Sequence, residues 1–267
     1  MLALDKSQVA RQFSRAASGY QQVSDIQNRM ADRLLDLVPE QLAPPSQVVD
    51  LGCGAGYLTG LLADRYVGSN ILGLDIAEGM LKASGNYFRG RGLPKNDIPE
   101  LVYGDMESLP LRSNVVDLVF SNAALQWTDC DQSLAEIFRI LAPGGLAMLT
   151  TFIEGTLAEW QPCLNANGLD GVHQLQSMDD LISAAQCSGA DLILSDTHTY
   201  QIGHNSAQAM LESTKRMGAT NAQRERRQGL MGRQLYQNLI RGLEQEFLGR
   251  EYYSTYQVGF LILKKSV

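Results

Sequence analysis

The chain has 267 residues, 45% hydrophobic and 19% charged, with a formal net charge of −7. This is a globular composition that excludes collagen-like, disulfide-scaffold and wholly disordered chains. The acidic balance speaks against nucleic-acid or anionic-membrane binding, both of which need concentrated positive charge. Cys53, Cys130, Cys163 and Cys187 are scattered with no C-x-x-C pair, the pattern of reduced thiols rather than a disulfide framework or a metal site. The N-terminus carries charge by Asp5 and no apolar run of signal-peptide type, and no stretch approaches membrane-spanning length, so the expected compartment is the cytoplasm.

Residues 7–38 have helical periodicity, through Val9, Phe13, Ala17 and Tyr20 and then Ile26, Met30, Leu34 and Leu37, with a break expected at Ser18-Gly19. From residue 47 the pattern becomes strand–helix alternation. Val48–Leu51 is a strand, Tyr57–Tyr66 a helix, Ile71–Asp75 a strand, and Ala77–Phe88 a helix. Strands follow at Leu101–Tyr103 and Val116–Phe120, then a helix at Gln132–Ile140 and a strand at Leu146–Thr150 after Pro143-Gly144-Gly145. Short β-rich runs separated by helices predict a parallel sheet covered on both faces. Residues 178–188 read as a helix and Leu192–Tyr200 as a strand. Residues 206–248 are mostly helical, and Tyr252–Lys264 is a terminal strand. About forty helical residues between the last two strands exceed a plain connection and predict a substrate-side insertion.

The sharpest motif is Val48 to Gly60, VVDLGCGAGYLTG. Gly52, Gly54 and Gly56 sit at alternate positions after a strand, where bare backbone can approach a ligand that any Cβ would block. The dinucleotide spacing G-x-G-x-x-G fails in both registers, because the sixth position is Tyr57 or Thr59, and no G-K-[ST] follows for a P-loop. Asp75, nineteen residues past Gly56 at a strand end, is placed to accept two ribose hydroxyls. A plain tight turn would use the same glycines, but it would not call for the strand-terminal acid.

The D-L-G-C-G-x-G string resembles the first motif of class I S-adenosylmethionine-dependent methyltransferases, with Asp75 at their ribose-binding acid. Gly104-Asp105-Met106 resembles their adenine site, Val116–Asn122 their fourth-strand motif beside the methionine part, and Leu141–Gly145 their L-x-P-G-G turn. The resemblance implies an α/β doubly wound, Rossmann-like seven-stranded sheet. Residues 1–46 would be an N-terminal helical cap and 47–267 the methyltransferase domain, carrying the 206–248 insertion. It implies S-adenosylmethionine as methyl donor, S-adenosylhomocysteine as product and no metal. The implied donor contacts are Asp50, Gly52, Cys53, Gly54 and Gly56 from the loop, Asp75, Ile76 and Met80 after the second strand, and Asp105, Met106 and Asn122 beyond.

No N-P-P-Y-type motif follows the fourth strand. Ser121-Asn122-Ala123-Ala124-Leu125-Gln126-Trp127 instead resembles methyltransferases that act on carboxylic acids. Asp5–Tyr20, Gly104–Pro110, Lys215–Thr220 and Gly229–Arg233 are similar to the malonyl-acyl-carrier-protein O-methyltransferases of biotin synthesis. That resemblance implies malonyl-acyl carrier protein as partner and acceptor. Tyr20, Gln126 and Trp127 are candidates for positioning donor and acceptor, with Tyr20 and Trp127 equally readable as core. A carboxylate acceptor is already ionised at pH 7, so no general base is required, and His173, His198 and His204 lie outside the motifs. Lys215 and Arg233 are candidates for the acceptor carboxylate. The run from Lys215 to Arg233, with Arg216, Arg224, Arg226 and Arg227 against the single acid Glu225, is either a docking patch for an acidic carrier or a solvated face. Open alternatives are a small carboxylic acid or quinone-type metabolite as acceptor, a non-catalytic donor-binding partner, and, more distantly, a nicotinamide oxidoreductase.

Overall fold

A computed structural model of the protein describes residues 5–17, 25–92, 94, 97–169, 175–216 and 232–266, excluding the side chains of 214–216. Helix α1 (Lys6–Ala16) starts where the Asp5 carboxylate accepts the Gln8 N–H at 3.1 Å. Helix α2 (Asp25–Asp36) buries Ile26, Met30, Ala31, Leu34 and Leu35, one stripe at helical spacing. There follow β1 (Gln47–Leu51), α3 (Tyr57–Arg65), β2 (Asn70–Asp75), α4 (Glu78–Gly90), β3 (Glu100–Tyr103) and β4 (Val116–Asn122). Then come α5 (Cys130–Ile140), β5 (Leu141–Phe152), α6 (Gln161–Ala166), α7 (Met178–Cys187) and β6 (Ala190–His204). Helices α8 (Ala207–Arg216) and α9 (Arg233–Glu246) precede β7 (Tyr252–Lys265).

The seven strands form one sheet, as the resemblance implies, and their order is β3-β2-β1-β4-β5-β7-β6. Neighbours from β3 to β5 pair in parallel, and β7 is antiparallel to both β5 and β6. Chain order reverses at β1, which has β2 on one side and β4 on the other, and a crevice opens there beyond the strand ends. Two apolar clusters cover the sheet. One joins α2, α3, α8 and α9 through Met30, Leu34, Leu62, Met210 and Leu243, and the other joins α5 and α7 through Leu134, Ile137 and Leu181. Through the first cluster, residues 26–38 pack against the sheet.

Three elements differ from their sequence readings. Strand β5 begins at Leu141, before Pro143-Gly144-Gly145, and a register irregularity between Val116 and Leu118 absorbs the turn. Strand β6 runs on to His204 because β7 pairs with it as far as Tyr252. Helix α6 is only six residues long, with Pro162 at its start, too short for a periodic signal. No described helix is long and apolar enough to cross a membrane, and no metal-holding group of His, Cys, Asp or Glu occurs among the described residues.

Gly56, at φ 89°, caps α3, and a Cβ there would collide with Ser84 Oγ and come within 3.0 Å of Phe88. Gly68 has the same φ of 89° with open space around it. Gly68→Ala should therefore cost only the left-handed strain, about 1–2 kcal/mol. Gly56→Ala should cost about 2–4 kcal/mol, because overpacking adds to that strain. Urea midpoints of the two variants, at unchanged m, check the difference.

Candidate active site

The chain leaves β1 through Gly52, Gly54 and Gly56 at φ of 71°, 54° and 89°, all in the left-handed region that favours glycine. Gly52 and Cys53 N–H groups donate to the Leu74 carbonyl at 2.7 and 3.0 Å, which folds the loop over the end of β2. There the Asp75 carboxylate accepts two backbone donors, Gly54 N–H on Oδ2 at 2.9 Å and Ala77 N–H on Oδ1 at 2.7 Å. Asp75 is 9% exposed, and that residual surface lines the crevice with lone pairs to spare. Burial pushes its carboxyl above the usual range while the amide hydrogen bonds hold it down.

Two adjoining cavities meet at Gly52, Gly54 and Asn122. The first is walled by Leu74, Ile76, Met80 and Met106, has Asp75 and Asp105 at its polar edges, and is covered by Lys6, Val9 and Phe13 of α1. The second lies beside α2 and is lined by Gln27, Asn28, Asp50 and Cys53, with Tyr57 and Tyr87 at its rim. A Cβ on Gly52 would collide with that of Ala124, so the bare backbone there is a packing requirement.

Asp50, 1% exposed, accepts the Thr59 hydroxyl at 2.6 Å. Burial, reinforced by the neighbouring Asp75 charge, pushes its carboxyl up to about 7 against the opposing Thr59 hydrogen bond. Cys53 turns its thiol into the sheet, where a Cβ on Gly73 would approach Sγ to 3.1 Å, and burial pushes that thiol up. Gly56 lines neither cavity, and its conformation serves the α3–α4 packing described above.

At the far edge of the first cavity, Asp105 Oδ1 accepts the Glu107 N–H at 3.0 Å and Oδ2 accepts Lys6 Nζ at 2.6 Å. Lys6 also reaches Glu107 at 2.5 Å. Burial pulls the Lys6 ammonium down, and the two carboxylates more than offset this, leaving it above its ordinary value. Lys6, Val9 and Phe13 were invisible as site residues in the sequence. The signals were their spacing, which puts 6, 9 and 13 on one helix face, and their place in the family-like Asp5–Tyr20 string.

The wall after β4 is shared between predicted and unpredicted residues. Trp127 lines the first cavity and meets Phe13 edge-on at 5.4 Å between centroids. Gln126 lines neither cavity, and its amide binds the Ala123 carbonyl and the Thr151 hydroxyl. Asn122 donates from Nδ2 to the Gln27 carbonyl of α2 at 2.9 Å and accepts the Thr150 hydroxyl at 2.7 Å. Arg233 is exposed at the start of α9 and lines neither cavity. Tyr20, His173, Arg224, Arg226 and Arg227 lie outside the described residues, as does the side chain of Lys215.

The buried Asp50 gives a pH signature. Its carboxyl sits near 7 when folded and near 3.8 when unfolded, so the folded protein holds the proton more tightly. The stability this lends is complete below about pH 4 and is lost as pH rises to about 7, by up to ~4 kcal/mol. Asp50→Asn should remove that dependence. The stability of the variant relative to the parent, from urea titrations at pH 4.5 and pH 8, should rise toward pH 8.

A family described as "Methyltransferase domain" matches residues 49–149. The malonyl-[acyl-carrier protein] O-methyltransferase of Laribacter hongkongensis is 36% identical over 249 residues, 88% of this chain and 81% of its own. That of Methylococcus capsulatus is 36% identical over 231 residues, 86% and 82% of the two chains. That of Hahella chejuensis is 32% identical over 269 residues, 98% and 92%. Among solved structures, the YcgJ protein of Bacillus subtilis superposes with a TM-score of 0.64 at 15% identity, over 90% of this chain and 99% of its own. A geranyl diphosphate methyltransferase in complex with S-adenosylmethionine gives 0.56 at 16% identity, over 89% and 85%. The structural likenesses establish the fold alone. The relatives, alike over nearly the whole chain, establish more: this protein belongs to the malonyl-[acyl-carrier protein] O-methyltransferase family.

Proposed function

We propose that the protein transfers the methyl group of S-adenosylmethionine to the free carboxylate of malonyl-acyl carrier protein, an early step of biotin synthesis in the cytoplasm. The observation that carries this is the Asp75 carboxylate, pinned by Gly54 and Ala77 amides at the edge of a cavity, in a chain whose relatives are named for that reaction. The residues fit a nucleoside carrying an amino-acid tail. Asp75 offers lone pairs to a ribose diol, and Asp105 lies where an exocyclic amino group could donate. Ile76, Met80 and Met106 form an apolar slot for a ring. Asp50 and Asn122 border the second cavity, where the tail would lie past the bare backbone of Gly52 and Gly54.

When bound, the donor supplies a methyl group on a positively charged sulfur. The acceptor is a carboxylate ionised at neutral pH. The protein therefore has no proton to move, and its work is alignment and exclusion of water. Phe13, Ala123 and Trp127 supply apolar surface at the cavity. Transfer neutralises charge, so a poorly hydrated wall favours it. Tyr20 would contribute to the same wall. Lys215 or Arg233 would hold the acceptor carboxylate, and Arg224, Arg226 and Arg227 would meet the acidic face of the carrier, giving an acidic enzyme a local positive landing area.

Incubation with labelled donor and a panel of malonyl carrier protein, malonyl-CoA and free dicarboxylates should place label on the carrier protein as a base-labile ester. Label on free acids alone would overturn the assignment. Asp75→Ala should weaken donor binding at least a hundredfold by calorimetry, because it removes a ribose acceptor and releases the Gly54 and Ala77 amides together. Reversing charge at Arg224, Arg226 and Arg227 should raise the carrier-protein KM about tenfold and leave donor affinity unchanged. An unchanged KM would sink the docking role.

A further inference from the structure

Near its end strand β5 carries two consecutive threonines, Thr150 and Thr151, exposed 0% and 2%. Successive strand side chains point to opposite faces, yet both hydroxyls reach the same segment, residues 122–127, part of which lines the first cavity. Thr150 is in register with Asn122, donates to Asn122 Oδ1 at 2.7 Å and accepts the Ala123 N–H at 3.2 Å. The Thr150 carbonyl accepts the same N–H at 3.1 Å. Thr151 donates to Gln126 Oε1 at 2.8 Å, and Gln126 Nε2 donates to the Ala123 carbonyl at 2.7 Å.

The residue gripped from both sides is Ala123, at φ 54°. A residue with a Cβ is held there against a cost of about 1–2 kcal/mol, so the surroundings must enforce it. The bend has a use. It turns Ala123, Ala124 and Trp127 toward the first cavity and sets Ala124 against Gly52. Thr150 holds the amide side of the bend, and Thr151, through the Gln126 amide, holds its carbonyl side.

We infer that Thr151 is a positioning residue for methyl transfer, which acts through Gln126 to lock the Ala123 bend and so to hold the wall carrying Trp127 against the reacting groups. The inference rests on the function proposed above. Valine is the matching probe, since it keeps the shape of threonine and removes only the hydroxyl. Thr151→Val should lower kcat about tenfold, leave donor affinity within twofold, and shift the emission of Trp127, read in a Trp160→Phe background that leaves it the only tryptophan. Thr151→Ser restores the hydroxyl and should recover kcat and emission to within twofold of the parent.

Gln126→Leu cuts the same link from its other end. It should reproduce both effects, and the double variant should be no worse than either single one, the mark of one shared interaction. It also provides the test if Thr151→Val does not fold. The proposal is overturned if Thr151→Val leaves kcat and Trp127 emission unchanged, if Thr151→Ser is as impaired as Thr151→Val, or if the Gln126→Leu effects add to those of Thr151→Val. A parent protein that labels no malonyl carrier protein would overturn the function instead, and the Trp127 emission of the three variants would still decide the role of Thr151.

Discussion

The site depends on one carboxylate doing two jobs. Asp75 ties the glycine loop to the turn that follows β2, one oxygen on each, and its remaining lone pairs face the cavity. A buried carboxylate is expensive unless amides satisfy it, and here the amides that satisfy it are those whose placement shapes the binding surface. Loop geometry and the ligand recognition proposed for Asp75 are thus one interaction. The left-handed Gly52 and Gly54, the Leu74 carbonyl beneath them and the partition into two cavities all follow from fixing that loop over the end of β2.

Around this centre the walls come from distant parts of the chain. Helix α1 covers the first cavity, and its Lys6 is anchored on Asp105 and Glu107, 99 residues away in the case of Asp105. Helix α2 borders the second cavity, its Gln27 carbonyl held by Asn122. Strand β5 supplies the threonines that shape the wall between. The sheet is a frame whose strand ends present loops, and side chains of neighbouring elements help to hold them: Asp75 the glycine loop, Lys6 the Asp105 turn, and Thr150 and Thr151 the segment after β4.

The glycine loop, Asp75 and Asp105 were legible in the sequence because each is a local signal at a strand end. So was the sheet, whose strands alternate with well-separated helices. The cover was not legible. The apolar face of α1 says that Val9 and Phe13 are buried but not what they cover, and Lys6 reads as solvated until Asp105 is placed opposite it. The threonines were missed because a buried Thr in a strand is ordinary β-sheet composition, and only the bend at Ala123 gives their hydroxyls a task. Gly56 has a packing task that its motif does not reveal. The motif groups it with Gly52 and Gly54, yet the space it saves belongs to Ser84 and Phe88. The early start of β5 was hidden by Pro143-Gly144-Gly145, which reads as a turn and is absorbed by a register irregularity.

Helix α2 carries a further consequence. Its apolar stripe shares a cluster with Tyr200, Val258 and Phe260, and its Arg33 pairs with Asp196 at 2.7 Å across 163 residues of chain. Along the chain α2 lies far ahead of β6 and β7, which supply part of its packing alongside α3, β4 and β5. Ile26, Met30 and Leu34 stay uncovered on that side until β6 and β7 have been made. Contacts this remote in sequence slow folding, and in the interval the apolar stripe of α2 is open to chaperones and to premature association.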